Sequence, residues 1–88
     1  MKRAHGELKL KIIELDISQN QAAALVECDP GNFSKILNKG TEPSVQLAAR
    51  MSTVFGIDVT WWAEEISPDL FARSTQAYAK AQRKGSAA

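Results

Sequence analysis

Apolar residues along this chain recur at helical spacing. Leu8, Ile12 and Leu15 sit at i, i+4 and i+7, with Leu10, Ile13 and Ile17 beside them, which predicts a first helix over about 6–16. Ser18, a favoured N-cap, opens a second, alanine-filled helix over about 19–26. A three-residue turn, Glu-Cys-Asp, follows. Asp29 as cap and Pro30 as first helical residue open a third helix over about 30–38, with Phe33, Ile36 and Leu37 as its inner set and Gly40 as its stop. Ser44 caps a fourth helix over 45–55, whose inner face is Leu47, Ala48, Met51, Val54 and Phe55, and Gly56 ends it. Asp58 caps a fifth segment with Trp61 and Trp62. At least one tryptophan is expected in the core; adjacent helical positions point about 100° apart, which leaves room for the second to be exposed. Ser67 and Pro68 start a sixth segment with a thin stripe of Leu70, Phe71, Ser74 and Tyr78. No strand alternation and no fixed-period repeat appears. The chain reads as all-α, with a domain over 1–66 and a C-terminal helix and basic tail over 67–88.

Eighty-eight residues suffice for one modest core. No apolar run approaches the roughly 20 residues of a membrane span, and the basic start has no apolar block behind it, which points to the cytoplasm. The lone cysteine, Cys28, can make no internal disulfide and is expected as a small buried plug in the turn. The lone histidine, His5, has no ligand partner at useful spacing and is expected in a mobile N-terminus, so neither a metal site nor a histidine-based triad is expected. No cofactor motif is present, and an enzyme has almost no support.

The net charge is only +1, but it is unevenly spread. Residues 41–69 carry a balance of −4, and residues 70–88 carry +4 from Arg73, Lys80, Arg83 and Lys84. The two segments could attract each other within one chain or between chains, or the tail could meet an anionic partner. Lys2 and Arg3 read as a mobile charged terminus, with a groove-following arm as the alternative.

Two short helices joined by a tight turn, over 19–26 and 30–38, have the outline of a helix-turn-helix. The stretch from Ile17 to Trp62 resembles the lambda-repressor-like (XRE) helix-turn-helix domain. The resemblance rests on Ser18-Gln19 opening the alanine-rich second helix, on "FSKILN" in the third, on "EPS" in the next loop and on "FGIDVTWW" at the close. The chain departs from the family pattern at Ala22, where a leucine often stands, at Gly40, one residue late, and at Pro30-Gly31, where long polar readers are usual. The resemblance implies five helices plus a C-terminal sixth, with double-stranded DNA as the partner. It implies phosphate contacts from Ser18, Gln19, Asn38, Lys39 and Thr41, and base contacts from Pro30, Gly31, Asn32, Ser34 and Lys35. Lys35 and Lys39 read as plain solvated charges in the alternative, and Asn32 as a residue serving the helix start.

Two-fold dimers of such domains span half-sites roughly 34 Å apart, so a homodimer is expected, with Trp62, Leu70, Phe71 and Tyr78 as its interface. The reading is a small operator-binding regulator, similar to phage Cro-like repressors, controller proteins and antitoxin-type autoregulators, with a regulatory protein partner possible. The competing reading is a protein-interaction module that keeps the fold with weak base readout. Near-neutral charge and the Pro30-Gly31 start favour it.

Overall fold

Side-chain caps set where the helices begin. Ser18 Oγ accepts from the Gln21 N–H at 3.0 Å, Asp29 Oδ2 from Asn32 at 3.1 Å, Ser44 Oγ from Leu47 at 3.2 Å and Asp58 Oδ1 from Thr60 at 2.9 Å. Each satisfies an N–H that the helix itself leaves unpaired. Gly40 and Gly56, both left-handed, close the third and fourth helices. The computed structural model, which describes the backbone of residues 1–87 and the side chains of residues 1–82, has five α-helices. They are α1 (Arg3–Leu15), α2 (Gln19–Leu25), α3 (Pro30–Lys39), α4 (Val45–Phe55) and α5 (Pro68–Ala87). The predicted fifth helix is a single 3-10 segment, Val59–Ala63. No strand occurs among the described residues; one isolated antiparallel bridge joins Lys2 to Glu65.

The core is built around α1. Ala4, Leu8 and Ile12 of that helix are fully buried with Ala22, Ala23 and Val26 of the α2 region, and with Phe33, Ile36 and Leu37 of α3. Leu47, Met51, Phe55 and Ile57 close it from α4, and Tyr78 from α5. Two expected inner residues stand out of it: Leu15 and Val54 are 43% and 42% exposed, because each lies at the edge of its helix's apolar face.

Two findings overturn sequence expectations at the N-terminus, and a third concerns the acidic segment before α5. First, α1 begins at Arg3, and His5 is 1% exposed within it, so neither is part of a mobile end. Second, Lys2 and Arg3 form no free arm. Lys2 Nζ meets Glu65 at 2.7 Å and Arg3 Nη1 meets Glu64 at 3.0 Å, while Arg3 covers the Trp61 ring at 4.3 Å. Backbone bonds from Arg3 N–H to Glu64 O and from Ile66 N–H to Met1 O fix the strap. Third, the described partners of Glu64 and Glu65 are therefore at the N-terminus, and not in the basic tail. The side chains of Arg83 and Lys84 lie outside the described residues.

α5 packs along α1 at close range. A Cβ placed on Gly6 would come within 2.9 Å of Ile66 Cδ1 and 3.4 Å of Ser74 Oγ, so a larger side chain would have to displace the Ile66 side chain. Lys9, 2% exposed, points into this seam. Its ammonium donates to Thr75 Oγ1 at 3.0 Å and lies 4.6 Å from the Phe71 ring centroid, with no carboxylate beside it. Burial pushes its pKa below the usual lysine value.

The Lys9→Met variant is expected to raise stability by about 1 kcal/mol, since an apolar chain of similar length removes a buried charge. A depressed lysine pKa means the unfolded chain holds more protons just below pH 10.5, so wild-type stability should rise with pH in that window. Urea unfolding from neutral to alkaline pH should show this rise in the wild type and not in the variant.

Candidate nucleic-acid interface

Burial of Phe33, Ile36 and Leu37 decides what α3 shows to solvent. At about 100° per residue, Gly31, Lys35 and Asn38 fall nearly opposite Phe33, flanked by Ser34 on one side and Asn32 and Lys39 on the other. Pro30, Gly31, Asn32, Lys35, Asn38 and Lys39 are exposed, and Ser34 is half-buried. Sequence-predicted groups on α3 therefore form one continuous polar strip. Asn38 Nδ2 donates to Ser34 Oγ at 3.1 Å, which leaves the serine O–H to donate outward. Lys35 and Lys39 are like charges at i, i+4, a pairing that costs a helix a few tenths of a kcal/mol. Lys39 regains part of this at the negative end of the helix dipole.

The first turn of α3 is short of reaching groups, as the sequence indicates. Asp29, Pro30 and Gly31 stand there, and the capping carboxylate of Asp29 lies 3.0 Å from where a Gly31 Cβ would be. An alanine would thus crowd the cap. Asn32 donates weakly to Cys28 Sγ at 3.8 Å. Cys28 is half-buried against the core, less enclosed than a plug.

At the start of α2, Ser18 and Gln21 cap each other: the Gln21 N–H donates to Ser18 Oγ and the Ser18 N–H donates to Gln21 Oε1 at 2.8 Å. Gln19 is half-buried, and its Oε1 accepts from the Tyr78 hydroxyl at 3.2 Å. Its carbonyl oxygen is thus committed inside the chain.

Thr41, exposed in the loop after α3, is braced from the N-terminus. His5 Nδ1 accepts the Lys2 N–H at 3.1 Å, so Nε2 carries the proton and donates to Thr41 O at 3.2 Å. The ring is neutral in this arrangement. Burial lowers its pKa, only partly offset by the hydrogen bonds to Thr41 and Lys2. Met1 lies over Gly40. The end of α3 is held by residues near the start of the chain, which the sequence pattern gave no means of finding.

Two more residues that shape the site escaped the sequence reading. Glu27 occupies the left-handed position of the α2–α3 turn at φ 54°, where no glycine signals the need. Arg50 Nε donates to Val26 O at 2.8 Å, so α4 secures the carbonyl that α2 leaves open at its end. A base on the flank of the Leu47–Met51 face was its only trace in the sequence.

The expected dimer surface is largely spent within the chain. Tyr78 is 7% exposed and belongs to the core, its phenol pushed up to about 12 by burial. Phe71 lies beneath Lys9, and Trp62 packs edge-on against His5 at 5.0 Å. Both tryptophans are half-buried and pack against the core, and neither is fully enclosed or fully exposed. Only Leu70 keeps a free apolar side chain, 54% exposed. The α1–α5 seam needed the stripe of α5 for itself.

Among the described residues no cluster of His, Cys, Asp and Glu has the makings of a metal site, and no helix is long and apolar enough to cross a membrane. Compared with known proteins, residues 8–62 match the family model described as helix-turn-helix. No curated protein and no solved structure matches the chain.

Two outcomes are expected. Glu27→Gly should raise the unfolding free energy by about 1 kcal/mol in urea titrations, because glycine removes the left-handed steric cost. His5 has a folded pKa below its ordinary 6.5, so the unfolded chain binds the extra proton first and stability is lost as pH falls from neutrality through the folded pKa. Thermal melts at stepped pH should show this loss, and His5→Phe should lack it.

Proposed function

Because the chain belongs to the lambda-repressor-like (XRE) helix-turn-helix family, a family of DNA-binding regulators, we propose that it is a small transcriptional regulator that binds an operator as a homodimer through α3 in the major groove. The observation that carries this reading is the strip on α3. Its apolar face is wholly committed to the core, while Asn32, Ser34, Lys35, Asn38 and Lys39 share the outer side. Lys35 is set to donate to guanine and Asn32 to adenine, each contact contributing roughly 1–3 kcal/mol of discrimination. Lys39, Asn38 and Thr41 hold phosphates, as do the free N–H groups at the start of α2 beside Ser18 and Gln19. Pro30 and Gly31 add close backbone approach and, at Pro30, apolar contact with a thymine methyl. With so few readers, part of the specificity comes from DNA shape.

Dimerisation would draw on the apolar side chains that the fold leaves outside. Leu10, Val54 and Val59, at 46%, 42% and 52% exposure, lie on α1 and at the corner between α4 and the 3-10 segment, and Leu70 lies on α5. The action takes place in the cytoplasm, and repression is the expected sign, since a dimer seated on an operator blocks other proteins. One observation favours the competing interaction module: the Asp29 carboxylate stands at the very start of α3, where it would repel a phosphate.

Selection of bound sites from random duplex DNA should enrich a palindrome with half-sites roughly 34 Å apart. On a duplex carrying that site, binding should fall linearly with salt on log–log axes, by about 0.9 in slope for each phosphate neutralised by a lysine or arginine. Lys35→Ala/Lys39→Ala should weaken binding, and the lost Lys39–phosphate contact should flatten the slope by about 1. Equal binding by that variant and the wild type at low salt would refute the DNA reading.

A further inference from the structure

His5 is almost wholly enclosed, and both of its ring nitrogens are bonded to backbone. It stands at the third position of α1. Its Nδ1 accepts the Lys2 N–H, the reach-back bond that a glutamine or glutamate makes in a capping box. Its Nε2 donates to Thr41 O, and Trp62 of the 3-10 segment packs against the ring. One imidazole thus joins the strap of residues 1–3, the 3-10 segment and the loop that leaves α3. The two nitrogens answer a proton differently. Protonation puts a hydrogen on Nδ1 and turns it from acceptor to donor. The Lys2 N–H is a donor too, so that bond is lost, whereas the bond to Thr41 O survives. The conflict falls on the strap. Lys2 lies between the two backbone bonds that seat it, Ile66 N–H to Met1 O at 3.0 Å and Arg3 N–H to Glu64 O at 2.6 Å.

The charges around the ring give an imidazolium little support. From the strap come the Met1 ammonium and Lys2, which meet Glu65 at 3.7 and 2.7 Å. Beyond the 3-10 segment, Glu64 and Glu65 are engaged by Arg3 and Lys2. On α1, Glu7 pairs with Arg3 at 3.9 Å, and Lys9 turns to α5. At the end of α3, Lys39 adds another positive charge, and the loop after it brings Glu42, which is exposed. No carboxylate bonds the ring among the described residues. Burial opposes the charged ring more than the Thr41 carbonyl and Glu42 favour it.

We propose that His5 is an acid-operated latch: protonation of Nδ1 unseats residues 1–3 from Glu64 and Ile66, uncovers Gly40 and loosens the loop that carries Thr41, while the helices stay packed. An imidazolium is better solvated in the open form, so that form binds the proton more tightly and falling pH shifts the population toward it. The strap is seated at neutral pH and opens as pH falls through the folded value, which lies below 6.5. Met1, which covers Gly40, leaves with the strap. A link to function rests on the DNA-binding reading above: Lys39 and Thr41 flank Gly40, so their hold on phosphate weakens in acid.

Nuclear magnetic resonance of the nitrogen-15-labelled protein, from about pH 8 to about pH 4.5, tests the latch. The Cε1–H signal of His5, the lone histidine, reports its own protonation. Protection of the Arg3 and Ile66 amides against hydrogen exchange, corrected for the intrinsic rate at each pH, reports the strap. These two should lose about tenfold or more in protection at the His5 midpoint, while Leu37 and Met51 in the core helices keep theirs. His5→Gln keeps a reach-back acceptor that does not titrate, so its strap should stay protected throughout. The wild-type titration decides alone if that variant does not fold. The latch is overturned if His5 does not titrate in this range, or if the strap amides stay protected through its titration. It is equally overturned if His5→Gln opens at the same midpoint, or if Leu37 and Met51 lose protection together with the strap, which is whole-molecule unfolding. Duplex binding that weakens at the His5 midpoint in the wild type and not in His5→Gln supports the link to DNA. A strap that opens while the wild type binds no duplex at any pH supports the latch and sinks the proposed function.

Discussion

The position of α1 constrains everything else. A helix of thirteen residues that touches α3, α5 and the 3-10 segment together cannot keep a simple wet face and dry face. Six of its residues are buried, and three of these are His5, Gly6 and Lys9. Each answers a different neighbour. Gly6 lets Ile66 and α5 approach, Lys9 spans the seam to Phe71 and Thr75, and His5 bridges from the helix start to the loop after α3. A larger or wholly apolar set would bury more hydrocarbon, but it would lose the hydrogen bonds that orient those partners.

Electrostatics sorts the surface in a way that net charge conceals. Acids of the segment before α5 neutralise the N-terminal bases, and this leaves the α3 and α5 cations as the uncompensated ones. A protein with a formal charge of +1 can therefore offer a local positive field. The Lys2–Glu65 bond holds the Glu65 carboxyl below its usual range and the Lys2 ammonium above its own, so both stay charged through the neutral range.

Much of the fold was legible because its signals are local. Ser18, Asp29, Ser44 and Asp58 cap where a cap is wanted, Gly40 and Gly56 stop where a left-handed residue is wanted, and α4 runs over the predicted 45–55. The polar strip on α3 was legible for the same reason, since burial of Phe33, Ile36 and Leu37 leaves only one face for the rest of the helix. What escaped depends on residues far apart in the chain. His5 meets Thr41 across 36 positions, Lys9 meets Thr75 across 66, and Lys2 meets Glu65 across 63. No periodicity encodes such pairs, so a lone histidine and two N-terminal bases looked idle. Tyr78 misled for a related reason: a thin apolar stripe reads alike whether it serves another copy or the chain's own first helix.

The indole of Trp62 has a further consequence. Its Nε1 is buried and finds no partner among the described groups, while its ring lies edge-on to His5 at 5.0 Å. A neutral imidazole is a poor quencher of indole emission and an imidazolium is a good one. The chain thus carries its own fluorophore beside the ring that orients the loop after α3. The protonation state of that ring can be followed by light, without label or substitution.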